Sequence, residues 1–179
     1  MAQEEDMVKV DQGLFEEAYE TLYPLIHKLA YHITGDVEQA EDLCHEAFIK
    51  YFERKKPLPD INQTKYWLIR VVKNISLNYE KKKFRQRKAF EKLKKTAPLA
   101  ADSTEHEYFK KETINRIQRA LDKIPYRLRM AVVLKEYAGL NYKEIGAILG
   151  ISEGNVKIRV FRARQRLAQI LKEETGHVS

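Results

Sequence analysis

Apolar positions along the chain recur at intervals of three and four, and no stretch alternates with the period of two that marks a half-buried strand. Leu14, Phe15, Ala18, Leu22, Leu25, Ile26, Leu29 and Ile33 form the first stripe, and Gly35 suits the C-terminus of that helix. A second stripe, Val37, Ala40, Leu43, Ala47, Phe48 and Tyr51, begins after so short a link that the two helices should pair antiparallel. The segment RKKPLPDINQ then breaks the pattern: two prolines exclude a continuing helix, and Asp60 or Asn62 can open the next. Trp67, Leu68, Val71, Val72, Ile75 and Tyr79 mark a third helix that runs out into the basic stretch KKKFRQRKAFEKLKK.

From about Phe84 to Glu107 the periodicity weakens, and APLAADSTEH has the small, polar composition of a linker. Helical spacing resumes at Ile114, Ile117, Leu121 and Ile124, and Pro125 can serve as the first residue of a further helix carrying Val132, Val133 and Tyr137. The expected fold is all-α: two small helical domains, residues 1–85 and 108–179, joined by a flexible linker over 86–107.

Near the C-terminus, LNYKEIGAILGISEGNVKIRVFRARQRL has the helix, tight turn and second helix of a helix-turn-helix. Asn141 can cap the first helix with Glu144 three residues on, Gly146 permits close helix approach, and Gly150 supplies the turn. Ser152 can cap the second helix, whose inward stripe is Val156, Val160, Ala163, Leu167 and Ile170. Asn155, Ile158, Phe161, Arg162 and Gln165 fall opposite that stripe, flanked by Lys157, Arg164 and Arg159. Arginine can read guanine bidentately, apolar groups can meet thymine methyls, and the flanking cations can hold phosphates. A helix this rich in arginine is in isolation as compatible with a solvated face, but the capped helix and turn before it favour DNA.

Composition narrows the class. The 179 residues are 44% hydrophobic and 33% charged, too apolar for wholesale disorder and too charged for a membrane protein. No apolar run is long enough to cross a bilayer, and the acidic start MAQEEDMVKV lacks a signal-peptide core, so membrane insertion is not expected. The single Cys44 cannot form an internal disulfide, and the cytoplasm is the expected compartment. A net charge of +7 favours polyanionic partners. His27, His32, Cys44 and His45 are poorly spaced for a metal site, no phosphate loop or nucleophile motif is present, and neither cofactor nor catalysis is expected.

The helix-turn-helix, with the preceding KIPYRLRMAVVLKEYAG, closely resembles region four of sigma factors of the extracytoplasmic-function (ECF) group. GDVEQAEDLCHEAFIKYF resembles region two's polymerase-binding helix, and KYWLIRVVKNISLNYEKKK its promoter-melting helix, with Trp67, Arg70 and Asn74 in register. The resemblance covers Leu14 to Leu171 and implies an alternative sigma factor that binds core RNA polymerase, on the clamp helices of the largest subunit and the flap, and directs it to promoter DNA. It also implies an anti-sigma protein as regulator. The competing reading is a free-standing helix-turn-helix regulator with an N-terminal interaction module.

Under this resemblance the acidic face Glu38, Glu41, Asp42, His45, Glu46 and Ile49 docks on polymerase, with Asp42 and Glu46 as leading contacts; His45 stands where similar sequences carry glutamine. The loop aligns with the element that captures a base flipped from the minus-ten strand, with Leu58, Asp60 and Asn74 as walls beside phosphate-binding Lys55 and Lys56. Leu58 occupies a position that can be aromatic in relatives. Arg70, Lys73 and Lys81 suit the backbone of the opening duplex, although Arg70 equally suits an internal salt bridge. Trp67 reads as core, and Tyr66 is open between core and base stacking. The minus-thirty-five element falls to Asn155, Lys157, Ile158, Arg159, Phe161, Arg162 and Arg164.

Overall fold

The computed structural model describes residues 10–92 and 108–176 as seven helices: α1 Gln12–Thr34, α2 Val37–Phe52, α3 Ile61–Glu91, α4 Tyr108–Lys123, α5 Tyr126–Tyr137, α6 Tyr142–Leu149 and α7 Glu153–Gly176. The boundaries follow from local chemistry. Gly35 ends α1 in the left-handed conformation, and Asp36 caps α2 by accepting from the Gln39 amide at 3.0 Å. Asp60, rather than Asn62, caps α3. Pro125 stands at the cap of α5, one residue earlier than its expected place inside the helix.

Helix α3 corrects one expectation. It continues through residues 86–91, the first part of the expected linker, although this stretch is exposed. Lysine, arginine, glutamine, alanine and glutamate are good helix formers and no glycine or proline interrupts them, so propensity carries the helix beyond its packed face. The expected linker from residue 93 on, like residues 1–9, lies outside the described residues.

Helices α1 to α3 pack as a three-helix unit around Ile26, Leu29, Ile33, Phe48, Leu68 and Ile69, all at most 2% exposed. Helices α4 to α7 form the second unit, with α5 at its centre against α7. In the helix-turn-helix, the Asn141 and Glu144 capping box is complete, and Gly150 turns the chain at a φ of 69°. At Gly146 a Cβ would lie 2.7 Å from the Ile151 carbonyl oxygen, so only glycine lets the chain return so tightly over α6.

The two units share one core. Residues 129–134 of α5 are all buried, and α5 packs on α1 of the first unit as well as on α7. The middle of α5, residues 130–134, is apolar on every side and needs cover all round, and α1 provides the second cover. Arg129, 5% exposed, sits at this junction. Its Nη1 donates to the Ile33 carbonyl at 2.6 Å and lies 3.0 Å from Glu80 Oε1 of α3, while its Nη2 donates to the Ile124 carbonyl at 3.4 Å. The α1 C-terminus is thus capped from outside: Arg129 reaches the Ile33 carbonyl, Lys83 the Thr34 carbonyl and Gln118 the His32 carbonyl. Cations there meet the negative end of the helix dipole.

Breaking a buried pair leaves its partner charged and uncompensated. Arg129→Ala is expected to lower stability by about 3 kcal/mol in urea unfolding, and Glu80→Ala in the same background to add much less than it does alone, the coupling a double-mutant cycle reads.

Candidate functional site

Three surfaces carry the candidate residues. On α2, Glu38, Glu41, Asp42, His45, Glu46 and Ile49 are all exposed, as expected for a face turned from the core. Ile49 is 56% exposed and Phe52 44% exposed, so the acidic row has an apolar end. Beneath it lies an aromatic layer in which Tyr19 and Phe48 rings meet at 4.9 Å and the His45 ring stands 6.1 Å from Tyr23. Only Glu46 of the row is ion-paired among the described residues, with Lys50 at 3.5 Å. This face offers unneutralised carboxylates beside exposed hydrocarbon, a pattern suited to a basic, partly apolar helix surface on a partner.

On α7, Ser152 caps the helix by accepting from the Asn155 amide at 3.2 Å, and Val156, Val160 and Ala163 are buried. Asn155, Lys157, Ile158, Phe161, Arg162 and Arg164 are exposed and Arg159 is half-buried. Phe161 is 61% exposed and Ile158 48%, hydrocarbon that nothing among the described residues covers. Arg164 pairs with Glu136 and Lys157 with Glu153 at 2.9 Å, so these two cations are already held, whereas Arg162 has no ion pair among the described residues. Amide-bearing, apolar and cationic groups line one exposed helix face whose N-terminal turns project outward, the composition that major-groove reading needs.

The third surface, the 53–60 loop and α3, departs from expectation. Lys55, Lys56 and Asp60 are exposed and Leu58 is half-buried against the core. One Asp60 oxygen is committed to the Gln63 amide. Asn74 lies fourteen residues along α3 from Asp60, about 21 Å at 1.5 Å per residue, so the structure does not gather Leu58, Asp60 and Asn74 into one pocket. Arg70 is exposed, with no ion pair among the described residues. Trp67 is half-buried against Tyr51, with the Arg54 guanidinium 4.9 Å over its ring. Tyr66 neither joins the core fully nor stands free: its hydroxyl donates to Glu144 Oε1 of α6 at 2.6 Å. The other Glu144 oxygen closes the capping box, and the Tyr66 hydrogen bond is the main reason its carboxyl sits below the usual range.

Sequence reasoning missed the residues that join the units. Besides Arg129, the Tyr126 hydroxyl donates to the Lys73 carbonyl at 3.2 Å and lies 3.0 Å from Ser76 Oγ, and burial pushes its pKa up to about 12. His32 of α1 stacks on Tyr137 of α5 at 4.0 Å and donates from Nδ1 to Gln118 Oε1 at 2.9 Å. The legible signal was the five-residue apolar run MAVVL at 130–134, which leaves the middle of α5 no solvent face.

The comparisons with known proteins agree with this layout. The sigma-70 region 2 family matches residues 18–87, and the sigma-70 region 4 family matches 114–167. The ECF RNA polymerase sigma factor SigW of Bacillus subtilis is 32% identical over 174 residues, spanning 92% of each chain. The chain belongs to the ECF RNA polymerase sigma factors. SigE of Mycolicibacterium smegmatis is also 32% identical, and the chain covers 60% of its length. In fold, this sigma factor resembles the sigma factor RpoE solved in complex with the anti-sigma factor NepR from Bartonella quintana, at a TM-score of 0.69 and 22% identity over 88% of this chain and 96% of that one. CnrH, solved in complex with the cytosolic domain of CnrY, gives 0.66 and 17% over 92% and 91%. A free-standing regulator would need only the C-terminal module, and the region 2 match does not favour it.

Within the sigma factor, His32 makes the contact between the two regions sensitive to pH. Burial lowers its pKa from 6.5 and Lys28 lowers it further, against the Gln118 hydrogen bond, so folding favours the neutral ring. The neutral ring therefore contributes stability that is present above about pH 6.5 and lost as pH falls from there towards the folded value. Urea unfolding of wild type and His32→Leu at pH 7.5 and 5.5 is expected to show a larger acid loss in wild type, and equal losses would remove this role.

Proposed function

We propose that this ECF sigma factor binds core RNA polymerase through the exposed α2 face and directs initiation by reading the minus-thirty-five element as duplex with α7. Asp42 and Glu46 are the leading polymerase contacts, against the largest subunit's clamp helices; the flap is the contact for the C-terminal unit. The exposed row Asn155, Ile158, Phe161 and Arg162 meets base edges, with Lys157, Arg159 and Arg164 on the flanking phosphates. The single observation that carries the reading is the pairing of two exposed surfaces of opposite character on one chain: an acidic and apolar face on α2 and a basic and apolar face on α7.

Around the minus-ten element, Lys55, Lys56, Leu58 and Asp60 serve the separated strand at the loop, while Arg70, Lys73, Asn74 and Lys81 serve the backbone further along α3. Their separation along the helix supports a strand running over α3 rather than a single pocket. The chain acts by binding and performs no covalent chemistry. Among the described residues no helix is long and apolar enough to cross a membrane, and the cytoplasm, where core polymerase works, is its compartment.

Reading both elements requires the two units to part. Two elements about 25 base pairs apart lie roughly 85 Å apart along duplex DNA. In this structure Lys73 and Lys81 of α3 line the same groove as Arg159 of α7. The arrangement is therefore a closed one, held by the Arg129, Gln118, Tyr126 and Tyr66 contacts, and regulation by an anti-sigma protein acts on how readily it opens.

Run-off transcription with bacterial core polymerase tests the reading: RNA starts that share two spaced upstream elements are expected only when the protein is added, and their absence would overturn it. Arg162→Ala is expected to cut transcription about ten-fold on promoters with an intact upstream element and to leave core binding unchanged. Asp42→Ala is expected to weaken association with core polymerase itself, measured by fluorescence anisotropy, and to leave the preference among promoters unchanged.

A further inference from the structure

A groove of about 1180 Å³ lies between the two units. Its walls come from α3, from the α4 to α5 junction and from α7, and nine of its lining residues are lysine or arginine against two carboxylates, Glu80 and Asp122. Those two are turned inwards: Glu80 pairs with Arg129, and Asp122 accepts from Gln118 at 3.1 Å. Lys123 is paired with Glu174. The remaining cations, among them Lys81 and Arg87 of α3, Arg127 of α5 and Arg159 and Arg166 of α7, have no ion-pair partner among the described residues. The floor is apolar, formed by Leu77, Ile124, Met130 and Leu149, and Phe84, 64% exposed, stands at its edge.

Cations brought together from two units repel one another, so closure has an electrostatic cost that the hydrogen bonds must offset. Any ligand that neutralises several of them at once binds the closed form in preference to the open one and shifts the population towards it. At about 1180 Å³ the groove is ample for a small ligand, for which pockets of about 300–1000 Å³ are usual.

We propose that this groove binds an oligophosphate anion, carried by a nucleoside or as an inorganic chain, and that the bound ligand holds the two units closed. Phosphates meet Arg87, Arg127 and Arg166, with Lys81 and Arg159 completing the ring, and a nucleoside's base covers the apolar floor beside Phe84. Because Lys81 and Arg159 are also promoter residues under the proposed function, the ligand and the promoter compete for them. That competition rests on the functional reading, but the binding itself does not.

The test uses the full chain without polymerase or DNA, so its failure would leave the transcription result untouched. ATP, GTP and inorganic tripolyphosphate are titrated by calorimetry without divalent cations at about 0.15 M salt. Saturable binding of one ligand per chain is expected, with a raised melting temperature, and the combined Arg87→Ala, Arg127→Ala and Arg166→Ala variant is expected to weaken it about ten-fold or more. These three side chains are exposed, so the variant is expected to fold and, with less repulsion across the groove, to melt unliganded no lower than wild type. Equal affinity for tripolyphosphate and nucleotides assigns the site to inorganic chains; tighter nucleotide binding that Phe84→Ala reduces to the tripolyphosphate level assigns it to nucleosides. Failure of all three probes to saturate, or saturation that the triple variant leaves unchanged, overturns the proposal.

Discussion

The C-terminal end of α1 is where the structure is decided. Its last carbonyls have no partners within the helix, and they are satisfied by Arg129, Lys83 and Gln118, groups from α5, α3 and α4. Three other helices are thereby referenced to one point. Glu80 holds Arg129 from the α3 side, and His32 stacks on Tyr137 close to the end of the helix. Hydrocarbon alone would permit α5 to slide or rotate on α1, because apolar contact is not directional. A buried guanidinium with fixed donors allows few such placements, and it ties the helix-turn-helix unit to the unit of α1 to α3 in one register.

Charge is segregated accordingly. The α2 face presents free carboxylates, while α3, α5 and α7 place their cations in and around the groove between the units. The two partners of a sigma factor are thus offered surfaces of opposite sign. Under the proposed function polymerase engages the acidic face of the closed chain, every residue of which is exposed, whereas the promoter needs the units apart. The contacts that close the chain are hydrogen bonds and one buried ion pair over a shared apolar seam, the kind of contact that a competing partner surface can replace.

Much of this architecture is legible in the amino-acid sequence. The Asp36, Asp60 and Asn141 caps, the turn at Gly150 and the inward stripe of α7 all follow from local chemistry, and local chemistry is written in adjacent residues. The exposed rows on α2 and α7 follow from helical periodicity alone. The missed features depend on residues distant in sequence. Arg129 lies in KIPYRLRMAVVLKEYAG with nothing adjacent to mark it, and only its placement 2.6 Å from the Ile33 carbonyl shows it as a buried cap. Tyr66 is ambiguous in sequence because its partner, Glu144, lies 78 positions away. The expected base pocket failed for a simpler reason: Asp60 caps the helix that carries Asn74, and helical rise separates them. The extension of α3 to Glu91 is hidden because amphipathic periodicity detects packed helices and is blind to one sustained by propensity.

The distance between the two units in the free and the transcribing protein tests most directly whether a sigma factor latched at Arg129 must open to work. Cys44 is buried and its thiol is pushed up to about 12, so spin labels can be confined to cysteines introduced at exposed Glu17 of α1 and Gln169 of α7. A single short distance is predicted for the free chain, lengthening by tens of ångströms, on the order of the spacing between promoter elements, when core polymerase and promoter DNA are added. An unchanged short distance in a complex that is making RNA would contradict the opening.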